Sequence, residues 1–171
     1  MPFPHPDACE LRLAQDDDSP GVVALVGLCF SPYPHCWIDV NREETGLLTP
    51  STSFARFWVL VHGDRVFATI ACTEHDVDPG DGRGRTPGVE LKKCYVHPAL
   101  RRHGVARRLV ALVEDHARAR GRPCVELWSD TRFETAHAVY ARLGYWKTGE
   151  RRALHDISDT EEFRFVKRLA T

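Results

Sequence analysis

The segment HPALRRHGVARRL, residues 97–109, holds four arginines and two histidines around one glycine, and it directly follows an apolar-alternating run. A strand that ends in a glycine-containing turn and continues into a helix forms an anion site, because the first helical amides lack intrahelical partners and carry partial positive charge. Gly104 lets the backbone approach a bulky anion without a side chain in between. With Arg101 and Arg102 at its rim, the segment favours a pyrophosphate over a nucleic-acid duplex.

The overall composition agrees with a small anion rather than a nucleic acid as the ligand. The chain has 171 residues, enough for one well-buried domain and too few for two. Its residues are 43% hydrophobic and 27% charged, with a formal net charge of −1. Dedicated nucleic-acid binders are usually basic overall, because they neutralise phosphates. The arginine cluster is therefore a local feature that acids offset elsewhere.

The N-terminal stretch MPFPHPDACELRL, residues 1–13, has three prolines, no cationic start and no apolar core of signal-peptide length. No segment approaches the ~20 apolar residues that a membrane span requires. We therefore expect a cytoplasmic protein with no membrane partner, in which the six cysteines are reduced.

No metal cofactor is expected. Cys72 and Cys94 each precede a histidine by three positions, but both lie on predicted strands, where residues three apart point to opposite faces. Zinc sites at this spacing favour ligands on turns. The acidic, glycine-rich segment 74–88 does not follow the calcium-loop pattern, because Pro87 stands twelfth from Asp76. This segment is predicted to be a mobile, solvated loop.

Alternation of apolar and polar residues predicts seven strands. Two of them form a hairpin at 56–73 that turns at Gly63 and Asp64, where the residues are typical of a tight turn. The other five predicted strands are 9–15, 89–96, 124–128, 145–150 and 161–169.

Helical periodicity and capping residues predict four helices. They are 16–30, a short helix at 38–48 with Gly46 as its cap, a helix after residue 100 that ends at Gly121, and a helix opened by a Thr131-x-x-Glu134 capping box and ended by Gly144. The resulting order, β-α-α-β-β-β-α-β-α-β-β, indicates one α/β (α+β) domain with a mixed, mostly antiparallel sheet and flanking helices. We place this domain at 9–171, after an N-terminal tail at 1–8.

The strand VELKKCYVHP and the RRHGVARRL that follows it resemble the central motif of the GNAT superfamily of N-acetyltransferases. The superfamily's Arg/Gln-x-x-Gly-x-Gly/Ala signature is met by Arg101, Gly104 and Ala106. The resemblance extends from about residue 9 to the end of the chain and is most specific at 89–146. It implies a GNAT-like fold for the single domain.

The strand CVELW and the helix TAHAVYARLGY resemble the superfamily's second motif, Ala-x-x-x-Tyr-x-x-x-Gly-Phe/Tyr, through Ala136, Tyr140, Gly144 and Tyr145. One position departs from the pattern. Many members carry an asparagine seven residues before the tyrosine, where this chain has Phe133. A contact to pantetheine is then missing, or Ser129 or Asp130 replaces it.

The resemblance implies acetyl-coenzyme A as the acetyl donor. Its pyrophosphate would lie on backbone amides from Arg102 to Ala106, and its pantetheine would run beside the strand like an added strand. The cofactor-binding residues implied in this way are Cys94, Tyr95, Val96, Arg101, Arg102, His103, Gly104, Val105 and Ala106.

Acetyl transfer to an amine needs a neutral amine, a polarised thioester carbonyl and a proton for the departing thiolate. Glu90 lies on the strand beside the proposed thioester, where a glutamate serves as general base in some superfamily members. Alternatively, Glu90 forms a structural ion pair with Lys92 or an arginine. A backbone N–H near Tyr95 or Val96 would polarise the carbonyl.

Tyr140 is the candidate general acid, although its place on the buried face of a helix also suits a packing role. Cys94 beside the pantetheine raises the alternative of a covalent acyl-enzyme. The superfamily usually transfers the acetyl group directly in a ternary complex, so the resemblance implies that Cys94 is simply a small strand residue.

The acceptor site is expected across the strands from the coenzyme, under the connection that follows the first helix. The candidate acceptor-binding residues on that connection are Tyr33, His35, Trp37 and Asp39. The segments 74–88 and 154–162 are further candidate walls. Aromatic residues with interspersed acids suit a cationic or aromatic amine, although such loops also commonly serve as lids. His155 and Asp156 are expected to stabilise their turn.

The leading hypothesis is an N-acetyltransferase that moves an acetyl group from acetyl-coenzyme A to a primary amine of a small molecule or peptide. Two other classes stay open: a non-catalytic coenzyme-A-binding sensor or interaction module of the same fold, and nucleic-acid binding through the arginine cluster. A homodimer is a further option that no stretch of the sequence settles.

Overall fold

Seven β-strands form one sheet in residues 3–170, the part of the chain that the computed structural model describes. The strands are β1 (Glu10–Leu13), β2 (Arg56–His62), β3 (Arg65–Val77), β4 (Thr86–Val96), β5 (Cys124–Asp130), β6 (Trp146–Ala153) and β7 (Glu161–Arg168). The helices are α1 (Ser19–Phe30), α2 (Pro50–Ser53), α3 (Val105–Ala119) and α4 (Glu134–Arg142). Their order along the chain is the predicted one, and the predicted fold class is confirmed.

The strands lie side by side in the order β1-β2-β3-β4-β5-β7-β6. Every neighbouring pair is antiparallel except β4 and β5, which run parallel. The predicted hairpin joins β2 to β3 and turns at Gly63, whose φ of +60° is accessible to glycine without a Cβ penalty. The mixed, mostly antiparallel sheet is therefore confirmed.

Helices cover both faces of the sheet. Successive strand residues point to opposite faces, so Val59 of β2 packs in the cluster that contains α1, and Leu60 packs in the cluster that contains α3. The apolar residues that α3 buries against the sheet are Val105, Leu109, Val110, Val113 and Ala117. This face follows the helical period predicted from the sequence and fixes α3 across β3 and β4.

The predicted short helix at 38–48 is wrong. The chain there forms turns and a 3₁₀ turn at Thr45–Leu47, and the one-turn helix α2 begins later, at Pro50. The Asp39 carboxylate accepts hydrogen bonds from the amides of Asn41 and Arg42. Such local side-chain bonds compete with helical ones, which explains the turn.

The predicted capping box at Thr131 is also wrong, because α4 begins three residues later, at Glu134. The amide of Thr131 donates a 2.8 Å hydrogen bond to the carbonyl of Glu161. This bond extends the pairing of β5 with β7, so Thr131 still belongs to the sheet edge. A turn closed by the 3.0 Å bond from the Phe133 amide to the Asp130 carbonyl then leads into α4.

The segment 74–88 is not the loop that its composition predicted. β3 continues to Val77 and β4 starts at Thr86, and the two residues are paired in the ladder. Only 78–85 connects the strands. Val77, in the part of β3 that was missed, and Val89, at the start of the predicted strand 89–96, are both fully buried.

All six cysteines are free thiols. In the described residues 3–170, no helix combines the length and the apolar character that crossing a membrane requires.

Candidate active site

A cleft opens between β4 and β5. Their parallel pairing ends at Leu91 and Leu127, while β4 continues to Val96 and β5 to Asp130. Beyond these two residues, β4 and β5 form no backbone hydrogen bonds with each other, although both strands lie in the middle of the sheet. A ligand with its own amide groups can hydrogen-bond to such free strand edges.

β4 bulges where it borders the cleft. Thr69 is paired with Tyr95 and Ala71 with Lys92, so two β4 residues stand opposite one residue of β3. Lys93 takes a left-handed φ of +53° at this point. Its carbonyl accepts a 2.7 Å hydrogen bond from the buried Thr69 hydroxyl. Bulges disrupt the ladder and re-aim side chains, and they occur often beside active sites.

The turn at residues 101–106, called here the α3 turn, presents free backbone amides. Gly104 has a φ of +75° and precedes the 15-residue helix α3, and its cap receives no side-chain hydrogen bond. Among residues 3–170, no acceptor is found for the amides of Val105, Ala106 and Arg107. A Cβ built on Gly104 would meet no atom within 4 Å. Free amides, a helix N-terminus and open space suit a diphosphate.

The predicted cofactor-binding residues lie on one continuous path from the bulge in β4 to the α3 turn. Arg101 ties the two parts together: its Nε donates a 3.2 Å hydrogen bond to the Val96 carbonyl, and its Nη2 lies 3.9 Å from Sγ of Cys29 on α1. Arg102 and His103 are exposed at the rim. Arg101 therefore positions the turn, while Arg102 supplies charge that faces solvent.

The residues before β1 pack against this region. The Phe3 ring lies 4.9 Å from the His97 ring, and the His5 ring lies 5.6 Å from that of His103, centroid to centroid. Pro6 is buried. The division into a tail at 1–8 and a domain at 9–171 stays a prediction.

Tyr140 reaches the bulge from α4. It is 6% exposed, and its hydroxyl lies close enough to the Cys94 thiol for the two groups to affect each other's pKa. Burial, and then the neighbouring Cys94, raise the pKa of Tyr140 well above its ordinary value. Burial also raises the pKa of Cys94 to about 12. Both groups keep their protons near neutral pH, so Tyr140 is suited to donate a proton and Cys94 is a poor nucleophile.

Glu90 lies one residue before the cleft opens and is buried. Its Oε1 is 2.8 Å from Nζ of Lys92 and 3.9 Å from Nη2 of Arg152, while its Oε2 is 3.9 Å from Nδ1 of His75. The ion pair with Lys92 that the sequence suggested as an alternative is thus present. This pair leaves the Glu90 carboxylate beside the cleft, which is compatible with a base role.

Glu90, predicted from the sequence, has three polar neighbours that sequence reasoning missed. We call His75, Glu90, Glu126 and Arg164 the polar row. Glu126 is 2.6 Å from Nε2 of His75 and accepts a 2.7 Å hydrogen bond from Arg164. One signal was available: the tripeptide Val-Glu-Leu occurs at 89–91 and 125–127, and the structure pairs the two copies residue by residue.

An aromatic cluster spans the cleft on the α1 side. The Phe133 ring lies 4.8 Å from that of Tyr33 and 5.7 Å from that of Phe30, and Phe30 lies 5.7 Å from Tyr95. Phe133, at the position that departs from the superfamily pattern, therefore packs with aromatic partners. Asp130 is bound by the guanidinium of its neighbour Arg132 at 2.6 Å and is not free to replace an asparagine.

The connection after α1 is anchored over the cleft end. Arg132 donates a 3.0 Å hydrogen bond to the His35 carbonyl, and the Trp37 amide donates a 2.8 Å bond to Oγ of Ser158. Trp37 is 58% exposed and Ile157 is 56% exposed. The structure therefore brings the connection and the β6–β7 turn together, and each carries an exposed apolar side chain.

Of the other predicted acceptor residues, Tyr33 is in the aromatic cluster, His35 is exposed with a φ of +57°, and Asp39 is occupied by its own turn. Asp156 accepts hydrogen bonds from the Ser158 and Thr160 amides at 3.2 and 2.8 Å, which matches its predicted role in stabilising the turn.

In the described residues, no three histidine, cysteine, aspartate or glutamate side chains gather in a way that could hold a metal ion. His75 pairs with carboxylates, and His97 uses Nδ1 to accept a 3.1 Å bond from the Ala99 amide.

A comparison with known proteins matches the part of the chain that contains the cleft and the α3 turn. A model of the acetyltransferase (GNAT) family matches residues 12–145. An N-acetyltransferase 8F1 of Rattus norvegicus is 33% identical over 95 residues, which cover 56% of this chain and 41% of that relative. The chain thus spans less than half the length of this curated relative.

Solved structures share the fold at low sequence identity. An acetyltransferase from Streptococcus agalactiae superposes with a TM-score of 0.75 at 18% identity, covering 95% of this chain and 99% of that one. The yncA protein of Salmonella typhimurium, solved with its cofactor acetyl-CoA, gives 0.66 at 17% identity, with 95% of both chains covered. Arabidopsis thaliana NAA60 in complex with a bisubstrate analogue gives 0.72 at 12% identity, with 95% and 99% covered. The family model matches most of the chain, and the chain therefore belongs to the acetyltransferase (GNAT) family.

Proposed function

We propose that the chain is an N-acetyltransferase that moves an acetyl group from acetyl-coenzyme A to a primary amine of a small molecule or peptide, directly within a ternary complex. One observation carries this proposal. The free amides of the α3 turn and the unpaired edge of β4 follow each other along one continuous stretch of backbone. Together they offer an anion site and a strand edge along one path, which suits a diphosphate attached to an amide-containing arm.

The residues that would hold the coenzyme follow from this geometry. The amides of Val105 and Ala106 would bind the diphosphate, and the backbone from Cys94 to Val96 would pair with the pantetheine amides. Arg101 would keep the turn in place through its bond to Val96. The bound coenzyme supplies the activated acetyl thioester.

Glu90 is proposed as the general base for the amine and Tyr140 as the acid for the sulfur. The Glu90 carboxylate pairs with Lys92 beside the cleft, and burial raises the pKa of Tyr140 well above its ordinary value, so Tyr140 retains its proton. The high pKa of Cys94, about 12, disfavours an acyl-enzyme at that thiol. Direct transfer is therefore favoured over a two-step reaction.

The acceptor would enter on the side of the aromatic cluster, past Tyr33, His35 and Trp37. Exposed Trp37 and Ile157 would contact the apolar part of the acceptor. A peptide acceptor is supported by one fold neighbour, the NatC complex, which was solved with a Gag peptide and CoA bound. Cytoplasmic location and a homodimer stay predictions.

The test is titration calorimetry with acetyl-coenzyme A, followed by an amine-library screen that reports free thiol and identifies the acetylated product by mass. We expect saturable coenzyme binding that Arg101→Ala weakens, and Glu90→Gln should flatten the rising limb of the pH–rate profile. Coenzyme binding without turnover of any amine would favour the non-catalytic module. Indifference to the coenzyme would remove the donor assignment.

The nucleic-acid alternative has its own readout. Binding through the arginine cluster would fall steeply as salt rises, because counterions are released from phosphates. A flat titration with duplex DNA at low salt would dispose of this alternative.

A further inference from the structure

The polar row contains an arrangement that the proposed roles of Glu90 and Tyr140 do not use. Glu90 and Glu126 are direct neighbours on the parallel strands β4 and β5. Like charges opposite each other destabilise a sheet, and both carboxylates are buried. The imidazole of His75 lies between them, with Nε2 at 2.6 Å from Glu126 and Nδ1 at 3.9 Å from Glu90.

We propose that His75, held by Glu126, is a positioning residue that relays the proton from Glu90 to solvent during acetyl transfer. This inference rests on the proposed function, because it takes Glu90 as the base. It assigns a role to His75 on β3 and to Glu126 on the apolar strand β5, neither of which is a residue that the two family signatures specify.

The exposed fractions of the three side chains indicate the direction in which the proton moves. The His75 side chain is 33% exposed, while the side chains of Glu90 and Glu126 are 12% and 9% exposed. A cavity of about 350 Å³ also borders Glu126. A proton that reaches buried Glu90 therefore has its outlet through the imidazole, because imidazole can accept at one ring nitrogen and release at the other.

The proton balance of the reaction requires such an outlet. An ammonium acceptor loses two protons when it becomes an amide. One of them ends on the coenzyme thiol through Tyr140, and the other passes from Glu90 to Nδ1 of His75 and leaves from Nε2 beside Glu126. No redox partner is needed. The 3.9 Å gap between Glu90 and His75 is about 1 Å longer than a hydrogen bond, as catalytic pairs often are before the substrate binds.

Fixed charges surround the relay. The charged or titratable groups that line it are Lys92 on β4, Glu150 and Arg152 on β6, Glu162 and Arg164 on β7, and Asp78 and Arg85 in the connection 78–85. Lys92 and Arg152 offset the charge on Glu90, and Arg164 offsets that on Glu126. His75 contacts both carboxylates.

The chain offers a matched control for His75. His116 on α3 forms an equivalent imidazole–carboxylate pair with Glu74, at 2.9 Å. Glu74 is the neighbour of His75 on β3, so its side chain points to the opposite face of the sheet. His116→Gln therefore removes a similar pair at a similar position without touching the relay.

The experiment compares His75→Gln, Glu126→Gln and His116→Gln with wild type, using the alkylamine that wild type turns over fastest in the thiol-release screen and then methoxyamine, a weakly basic nucleophile that is neutral at assay pH. With the alkylamine, the first two variants should lose about 10- to 100-fold in kcat and shift the rising limb to higher pH, with KM for acetyl-coenzyme A unchanged. With methoxyamine, they should match wild type. Added imidazole should restore His75→Ala.

Each other outcome is informative. Superimposable pH profiles, or an equal loss with alkylamine and methoxyamine, would overturn the relay and leave the acetyltransferase proposal intact. A wild type that releases thiol with no amine would overturn both. If His75→Gln does not fold, Glu126→Gln carries the same prediction, and a wild-type profile for that variant is sufficient to reject the relay.

Discussion

The hydroxyl of Thr69 on β3 donates a 2.7 Å hydrogen bond to the carbonyl oxygen of Lys93, the residue at which β4 bulges beside the cleft. The bulge leaves this carbonyl outside the normal ladder, and Thr69 is fully buried. A buried backbone carbonyl without a partner is costly. One side chain on the neighbouring strand thus maintains the strand edge on which the coenzyme is proposed to lie.

Thr69→Val should therefore weaken both stability and coenzyme binding. The substitution keeps the shape but removes the donor, so we expect a loss of about 1–3 kcal/mol in the free energy of unfolding, measured by urea denaturation. Calorimetry should show weaker binding of acetyl-coenzyme A. Thr69→Ser retains the hydroxyl and should bind as wild type does. Unchanged affinity in Thr69→Val would show that the bulge does not depend on this bond.

The two glycines that flank α3 allow the effect of backbone strain to be distinguished from the effect of losing a ligand contact. Gly104 before the helix has a φ of +75°, and Gly121 after it has a φ of +64°, and a Cβ on either would meet no atom within 4 Å. Alanine at each should cost about 1–2 kcal/mol of stability, because L-residues are strained in this region. Gly104→Ala alone should also weaken acetyl-coenzyme A binding, measured by calorimetry. Equal affinities would place the diphosphate elsewhere.

A comparison of two neighbouring tyrosines distinguishes a role in acid catalysis from a role in packing. Tyr140 and Tyr145 lie 6.0 Å apart, ring to ring, and both are buried. Tyr140→Phe should lower single-turnover rates by about 100-fold or more, the range of general acid catalysis, with little change in coenzyme affinity. Should turnover persist at the wild-type rate, Tyr140 has only a packing role.

Tyr145→Phe is the counterpart. The Tyr145 hydroxyl is buried without a hydrogen-bond partner among the residues that the structure describes. Its removal should leave turnover unchanged and raise the free energy of unfolding by about 1 kcal/mol, because an unsatisfied buried polar group is lost. A drop in stability, measured by thermal unfolding, would mean that the hydroxyl has a partner.

Local chemistry made the α3 turn and the hairpin predictable. A glycine with positive φ before a helix and another in a two-residue turn are each dictated by a few adjacent residues. The start of α4 was missed because a distant bond, from Thr131 to Glu161, overrides the local capping pattern. Propensity is a weak signal when sheet pairing competes with it.

The polar row could not be predicted from local pattern, because its contacts cross the sheet. His75 and Glu126 are 51 positions apart, and only the strand order and the parallel register of β4 with β5 bring them together. The anchoring of the α1 connection has the same origin, since Arg132 reaches a carbonyl 97 positions away. Motifs located the coenzyme path, whereas the topology located its polar surroundings.

Stability should fall as the pH drops from about 7 to 5, and His97 is one cause. Its Nδ1 accepts the Ala99 amide at the entry to the α3 turn, and burial lowers its pKa below the ordinary value of about 6.5. At a pH above this ordinary pKa, His97 is neutral in both the folded and the unfolded state and does not change the free energy of unfolding. Below it the unfolded chain takes up the proton first, so the folded state loses stability.

His137 should also lower stability at acidic pH, because burial lowers its pKa as well. Its Nε2 lies 3.0 Å from the Asp130 carbonyl. His97→Asn removes one of the two titrating groups but keeps an acceptor for the Ala99 amide, since asparagine side chains form the same local turn. Its free energy of unfolding, from urea denaturation at several pH values, should therefore decline less steeply between pH 7 and 5 than that of wild type. Parallel curves for the two proteins would assign the acid sensitivity to His137 or to another group, and the α3 turn would then keep its shape independently of the charge on His97.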